Sequence, residues 1–366
     1  MKITAVSAIP FAIPMRQVVK FATGQLDRIE HILVRVTTDE GVVGTAEAPA
    51  RPMVYGESTR SIVAAIESWF APALEGLDPY ALEHVSHRLA RVEHNPTAKG
   101  AIDIALHDII GQAAGVPCWK LLGGWGNGVR MSHILGLGSP EEVAAQALEL
   151  RERYGFTAFK LKAGIDPKRD TAMVLAVRKA LGPDTFLHVD VNHGYSSQLA
   201  CRILPQWEDS EIAWVEEPCP GVDERGRAFV RQSTRLPLMA DESCITPAAV
   251  AAELRHGVCQ FMSIKTARTG FTGSRSILAM CAENAVAPVI GSQGDSDFGM
   301  LAGAHFYCAH RATSAWPGEL SFFLDMQNGL LAEAPQIRDG MLELSDRPGL
   351  GIVIDEDRLK HARLDH

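Results

Sequence analysis

The sequence predicts an α/β barrel that follows a smaller α+β domain. Strand-like and helix-like segments alternate after the glycine-rich stretch 123–128, and this alternation predicts a parallel sheet. Eight strand-like segments can be counted if the one near residues 314–320 is included, and about eight such units close a sheet into a barrel. Acidic residues also follow apolar runs at intervals of 26 and 25 residues, at Asp190, Glu216 and Asp241. Each interval matches the length of one strand and one helix with their loops.

The first 50 residues are typical of an antiparallel sheet. Apolar and polar residues alternate in two stretches, as they do in strands with one buried face. Within the second stretch, the sequence Asp-Glu-Gly at 39–41 supplies a hairpin turn. We expect loops at 21–28 and at 48–59, because neither stretch has a periodic apolar pattern.

Residues 58–115 are predicted to be helical. Their apolar residues recur at three- and four-residue spacing, which is the period of an amphipathic helix. In the last of these helices Pro96 lies near the start and Gly115 near the end, where such residues are favoured. We therefore divide the chain into an α+β domain at 1–122, a barrel at 123–321 and a C-terminal segment at 322–366 that packs back on the first domain.

Composition excludes several classes of protein. The net charge is −9 without a basic run, which argues against nucleic-acid binding because phosphate contacts need clustered Lys and Arg. The apolar N-terminus is interrupted by Pro10 and Pro14 and predicts a strand, not a signal peptide. No apolar run reaches the length of about 18 residues that a membrane span needs. The seven cysteines are scattered without a CxxC pair, which predicts a reducing, cytoplasmic location.

The carboxyl ends of barrel strands meet at one mouth, so the three acids should form one cluster. Three neighbouring carboxylates repel one another unless a cation joins them, and oxygen ligands suit Mg²⁺ or Mn²⁺. We therefore predict Asp190, Glu216 and Asp241 as ligands of a divalent metal.

Lysines flank these acids on both sides. Lys160 and Lys162 are two residues apart on one strand and share a face, whereas Lys265 should approach from the opposite wall. Two adjacent ammonium groups repel each other, so we expect one of them to have a lowered pKa and to act in acid–base catalysis. Lys160 could instead serve only as an ion-pair partner that orients a carboxylate. Asn192 shares the face of Asp190, and Glu242 could hydrogen-bond a lysine.

These residues resemble the muconate lactonizing enzyme subgroup of the enolase superfamily. The resemblance covers the whole chain and is carried by KLK at 160–162, DVN at 190–192, WVEEP around Glu216, ADES around Asp241 and SIKTARTGFTG around Lys265. It implies a modified (β/α)₇β barrel of the TIM type beneath an N-terminal α+β capping domain. It also implies Mg²⁺ or Mn²⁺ on the three acids, acid–base work by Lys162 and Lys265, and a homo-oligomer.

Within this subgroup the chain is most similar to a branch of muconate cycloisomerases, which convert cis,cis-muconate to muconolactone through a metal-stabilised enolate. This similarity implies a small dicarboxylate substrate. Two departures affect the pocket wall: Asp295 precedes Ser296 where many members have Glu-Ser, and Arg268 replaces a second lysine. The capping loops should set specificity, and our candidate substrate contacts there are Phe21, Met53 and Tyr55.

Two other functions stay open at this point. The same pair of lysines could serve a racemase or epimerase of an amino-acid derivative or dipeptide, or a related dehydratase or synthase. A barrel that binds small acids without chemistry is the third possibility, and the three regularly spaced carboxylates argue against it.

Overall fold

The computed structural model describes residues 1–21 and 24–365, with only the backbone of Lys20 and Phe21. The chain begins with an antiparallel sheet in the order β1–β2–β3. The loop expected at 21–28 is wrong for residues 24–28, which belong to β2 and pair with β1 up to Phe21 and Gly24. Strands pair through backbone hydrogen bonds, which do not require alternating apolar residues. The polar end of this hairpin therefore has no sequence pattern that would predict a strand. The strands are β1 (Ile3–Phe21), β2 (Gly24–Thr38) and β3 (Val43–Pro49).

Helices follow the sheet where the apolar period predicts them. Helix α5 begins with Pro96 and ends at Gly115, whose φ of 70° completes the left-handed cap. It packs so closely on β3 that a Cβ at Gly44 would overlap Ala105 O. The expected loop at 48–59 contains one short helix, α1. The helices are α1 (Pro52–Tyr55), α2 (Thr59–Ala65), a π-helical turn (Ile66–Phe70), α3 (Ala71–Leu74), α4 (Leu82–Leu89), α5 (Pro96–Ala114) and α6 (Cys118–Leu122).

A parallel sheet of seven strands forms the second part of the molecule, with neighbours in sequence order from β5 to β11. The strand β4 precedes it and pairs with the C-terminal hairpin. The strands are β4 (Gly128–Arg130), β5 (His133–Leu135), β6 (Ala158–Lys162), β7 (Phe186–Asp190), β8 (Ile212–Glu216), β9 (Leu238–Ala240), β10 (Phe261–Ile264) and β11 (Ala287–Ile290).

Helices alternate with these strands, as the alternating pattern predicts. They are α7 (Pro140–Tyr154), α8 (Pro167–Leu181), α9 (Ser197–Ile203), α10 (Glu224–Ser233), α11 (Pro247–His256), α12 (Thr266–Glu283) and α13 (Gly299–Ala309). Short 3₁₀ turns lie at Leu204–Ser210, Glu242–Cys244 and Thr313–Ala315.

The barrel is closed by residues 317–321, which we call the closing segment. The expected eighth strand is not a regular strand, but its backbone hydrogen-bonds to both edges of the sheet. Ser132 N donates to Gly318 O at 2.8 Å, and Glu319 N donates to Ile290 O at 2.9 Å. The seven strands and this segment therefore complete the predicted TIM-type ring beneath the α+β domain.

The C-terminal residues contact the first sheet. Phe11 forms a β-bridge with Arg363, Met15 forms one with Met326, and Leu364 N donates to Pro10 O. The division at residues 122 and 321 stays a prediction. This part contains a 3₁₀ turn (Phe322–Asp325), β12 (Ile337–Arg338), β13 (Met341–Glu343) and α14 (Glu356–Ala362). In the described ranges, every helix is too short or too polar to span a bilayer.

Candidate active site

Five charged side chains meet at the carboxyl ends of the barrel strands. Lys162, Asp190 and Glu216 are the last residues of β6, β7 and β8, and the strand register pairs them side by side. Asp241 directly follows β9, and Lys265 directly follows β10. All five are buried. The barrel therefore gathers the residues that the sequence spacing selected.

Lys160 lies at the centre of three carboxylates. Its Nζ is 2.6 Å from Glu216 Oε2, 3.0 Å from Asp190 Oδ2 and 2.9 Å from Glu319 Oε2. Burial opposes the charge of Lys160, but these carboxylates outweigh burial and raise its pKa well above the usual value. The lowered pKa expected for one of the two lysines is therefore wrong for Lys160. Its geometry favours the alternative role of orienting carboxylates.

Glu319 is a site residue that the sequence reasoning missed. It lies in the closing segment, which is not a regular strand in the structure. Its position in the eighth strand-like stretch, directly after Gly318, could have indicated that it lies at the barrel.

Lys162 bridges an acid and an amide. Its Nζ donates to Asp190 Oδ2 at 2.6 Å and to Asn192 Oδ1 at 2.9 Å. The Asn192 side chain in turn donates to Glu242 Oε1 at 2.7 Å. Burial would raise the pKa of Asp190, but Lys160 and Lys162 hold it well below its usual range. Asn192 thus lies beside Lys162 in the charged cluster, whereas Glu242 contacts the amide and not Lys162.

Lys265 forms an ion pair with Asp241 on the opposite wall. The second oxygen of this carboxylate accepts a hydrogen bond from Arg268 Nη1 at 2.8 Å. Burial favours neutral Lys265, yet the charge of Asp241 wins and raises the lysine pKa. Arg268 is buried and also donates to Tyr55 Oη at 3.3 Å. The arginine that departs from the family pattern is therefore part of the site.

Glu217, the residue after β8, contacts the turn that follows β9. It accepts hydrogen bonds from the backbone of Asp241 at 2.6 Å and of Ser243 at 2.8 Å, and pairs with Arg227 at 2.7 Å. It therefore shapes the turn that carries Asp241.

The acids at the barrel mouth supply the oxygen atoms that a divalent cation prefers, and the predicted ligand set of Asp190, Glu216 and Asp241 stays a prediction. Glu216, Asp241 and Glu242 each place one oxygen within 4.8 Å of the others, whereas Asp190 is linked to Glu216 through Lys160. In the described structure, Glu216 Oε1 and Glu242 Oε2 are buried without a hydrogen-bond partner. Burial and the neighbouring carboxylates raise the pKa of Glu242 to about 7. Unsatisfied oxygens among excess acids are what a hard cation would relieve.

A cavity of about 260 Å³ opens beside Lys162. It lies between the first domain and the barrel mouth, and Met53, 79 % exposed, lines it. The role of Met53 as a substrate contact stays a prediction. Tyr55 lies instead in a neighbouring groove of about 870 Å³ that also reaches Arg268 and Glu242. Asp295 is buried behind the cavity wall, where it accepts from Ser292 Oγ at 2.7 Å. The Phe21 side chain falls outside the described residues. The cavity is lined by Gly24, Gln25, Leu26, Ala50, Arg51, Pro52, Met53, Ile134, Lys162, Ser292, Gln293, Gly294 and Phe322.

Two family models match the chain. Residues 3–123 match the N-terminal domain of the mandelate racemase / muconate lactonizing enzyme family. Residues 142–358 match the enolase C-terminal domain-like family. The chain belongs to the enolase superfamily. The predicted family is therefore confirmed, and members of this superfamily bind a divalent metal.

Individual relatives point to more than one reaction. A solved structure of muconate lactonizing enzyme from Mucobacterium Smegmatis, complexed with muconolactone, is 44 % identical over the full length of both chains, with a TM-score of 0.98. Muconate cycloisomerase 1 of Rhodococcus opacus is 31 % identical over 98 % of each chain. N-succinyl-L-Arg/Lys racemase of Bacillus cereus is 32 % identical over 98 % of this chain and 97 % of the relative. The chain is therefore an enzyme similar to muconate cycloisomerases.

Proposed function

We propose that this enzyme interconverts cis,cis-muconate and muconolactone. The observation that carries the proposal is the pair of lysines on opposite walls of one carboxylate cluster, with Lys162 lining the cavity. The 44 % identical muconate lactonizing enzyme supports the same reaction. Homo-oligomeric assembly stays a prediction.

Asp190, Glu216 and Asp241 would hold Mg²⁺ or Mn²⁺, with Glu242 beside them. When bound, the cation would stabilise negative charge on the substrate carboxylate next to the reacting carbon. Lys160 keeps Asp190 and Glu216 at a fixed separation through its two short contacts.

Lys162 is the proposed proton donor. One substrate carboxylate adds its oxygen to a double bond, and the electron pair of that bond moves to the neighbouring carbon. The Lys162 ammonium protonates this carbon, and in the reverse direction the neutral amine removes the same proton. Lys162 lines the cavity, whereas Lys265 is not among the described residues that line it. We therefore assign Lys265 the role of a fixed positive charge.

A racemase of an N-acylated amino acid is the second candidate. The opposed lysines could exchange the α-proton on both faces of one carbon, and a 32 % identical relative is such a racemase by name. In this reaction both lysines would change protonation state.

The test is a comparison of substrates with enzyme loaded with Mn²⁺ or Mg²⁺. We expect muconate to lose its conjugated-diene absorbance, and EDTA to abolish this loss. N-succinyl-arginine and L-Ala-L-Glu in deuterium oxide, followed by mass spectrometry, report α-proton exchange. Exchange of either compound without turnover of muconate would replace the first proposal by the second.

A further inference from the structure

Arg51 carries a positive charge that no carboxylate in the described residues pairs with directly. It lies half-buried between β3 and α1, and its Nε donates to Gln293 O. It forms no ion pair with any carboxylate in the described part of the chain. Two fully buried arginines behave differently: Arg227 pairs with Glu217 and Glu253, and Arg268 pairs with Asp241. The carboxylates of Asp295 and Glu47 favour the charge of Arg51 electrostatically, but neither forms an ion pair with it. Removing a guanidinium from water without a directly paired carboxylate is costly, so the Arg51 side chain can accept an anion from the cavity.

The cavity beside Arg51 is positively charged and would attract an anion. Its described lining includes two cations, Arg51 and Lys162, and none of those lining residues is acidic. Gly294 packs against the guanidinium, because a Cβ built there would overlap Arg51 Nη2. Gly294 also has a φ of 75°, a conformation that favours glycine. The loop after β11 thus leaves room for this side chain.

We propose that Arg51 binds the second carboxylate of the substrate, the one that attacks the double bond. The inference rests on the proposed function, because that reaction needs a dicarboxylate. The first carboxylate lies next to the carbon that Lys162 protonates, at the acid cluster. The second carboxylate then meets the two amino groups of Arg51, which match a carboxylate in a two-point hydrogen bond.

This assignment defines the class of ligand. A dianion with carboxylates at both ends is attracted by Lys162 and Arg51. A dipeptide with a free ammonium at the Arg51 end would meet like charge and no described acid in the lining, so it is disfavoured. A diacid such as an N-succinyl amino acid is compatible with the same cavity.

The experiment measures binding of two unreactive six-carbon acids to Mg²⁺-loaded enzyme. Adipate has two carboxylates and hexanoate has one, and both are assayed by calorimetry. In the wild type we expect adipate to bind about 100-fold more tightly than hexanoate, since a buried charge-assisted pair has an effect of this size. Arg51→Gln should remove most of that preference and leave hexanoate binding within about threefold of wild type.

Three further variants test whether the effect is specific to the Arg51 guanidinium. Arg51→Lys keeps the charge without the planar fork and should lose about tenfold in adipate affinity. Gly294→Ala should displace the guanidinium and weaken adipate binding in the same direction. Arg60→Gln, an exposed arginine of α2, is the matched control and should bind both acids like wild type. Thermal denaturation verifies that each variant is folded.

Equal effects of Arg51→Gln and Arg51→Lys on adipate and hexanoate, or no effect on either, would overturn the assignment. Failure of the proposed reaction would look different. In that case wild-type enzyme would not consume muconate, while Arg51→Gln would still remove the preference for adipate.

Discussion

The two lysines proposed to act in the reaction, Lys162 and Lys265, lie in different surroundings on opposite walls of the barrel. On one wall, Lys162 contacts Asp190 and the neutral amide of Asn192 and lines the cavity. On the other wall, Lys265 pairs with Asp241, and its pKa is raised. A proton donor must contact the substrate and exchange its proton, whereas a group that serves as a fixed charge keeps its proton throughout. Two residues of the same type at corresponding positions in the barrel can therefore have different roles.

The largest expected effect tests this difference directly. Lys162→Ala should lower muconate turnover about 10³-fold, because it removes the proton donor. Lys265→Ala should lower turnover about 10²-fold, because it removes a charge but leaves Arg268 on Asp241. The loss of diene absorbance measures both rates. A larger loss for Lys265→Ala would reverse the assignment of the donor.

The next effect concerns Lys160, which lies on the same strand as Lys162. Lys160→Met leaves Asp190, Glu216 and Glu319 without their shared partner and should destabilise the metal-free protein by about 3–5 kcal/mol. Added Mg²⁺ should restore part of this stability, because a ligand of the native state stabilises it. Urea denaturation measures both changes.

Lys179→Met, at an exposed position of α8, is the control for Lys160→Met. It should change stability by less than about 0.5 kcal/mol. If Lys160→Met were equally mild, the Lys160 contacts would not hold the acids in place.

The smallest expected effect is on the Lys265 wall. Tyr55→Phe removes the hydroxyl that accepts from Arg268 and Gln293 and should cost about 1 kcal/mol of stability. The KM for muconate should change less than fivefold, because Tyr55 lies outside the lining of the cavity beside Lys162. A KM increase above fivefold would restore Tyr55 as a direct substrate contact.

The sequence predicted the barrel and its charged cluster because both depend on one repeat. Strand and helix lengths fix the interval between strand ends, so Asp190, Glu216 and Asp241 could be selected by spacing alone. Cross-strand register then placed Lys162, Asp190 and Glu216 side by side.

The residues that sequence reasoning missed depend on tertiary contacts without a local period. Glu319 enters through the closing segment, which is not a regular strand. Arg51 is notable because no described carboxylate forms an ion pair with it, and the sequence alone cannot show that property. Lys160 joins Asp190 and Glu216 through two short contacts, which spacing in the sequence does not reveal. Spacing locates strand ends, but ion pairing decides the final arrangement around them.

The hydrogen bond from Leu364 N to Pro10 O has a consequence for biosynthesis. The first strand leaves the ribosome 354 residues before the residue that completes its edge. At about 5–20 residues per second, this delay is roughly 20–70 seconds. A nascent chain in this interval exposes an incomplete sheet edge, and chaperones that protect such edges should therefore influence the yield of this enzyme more than its final stability.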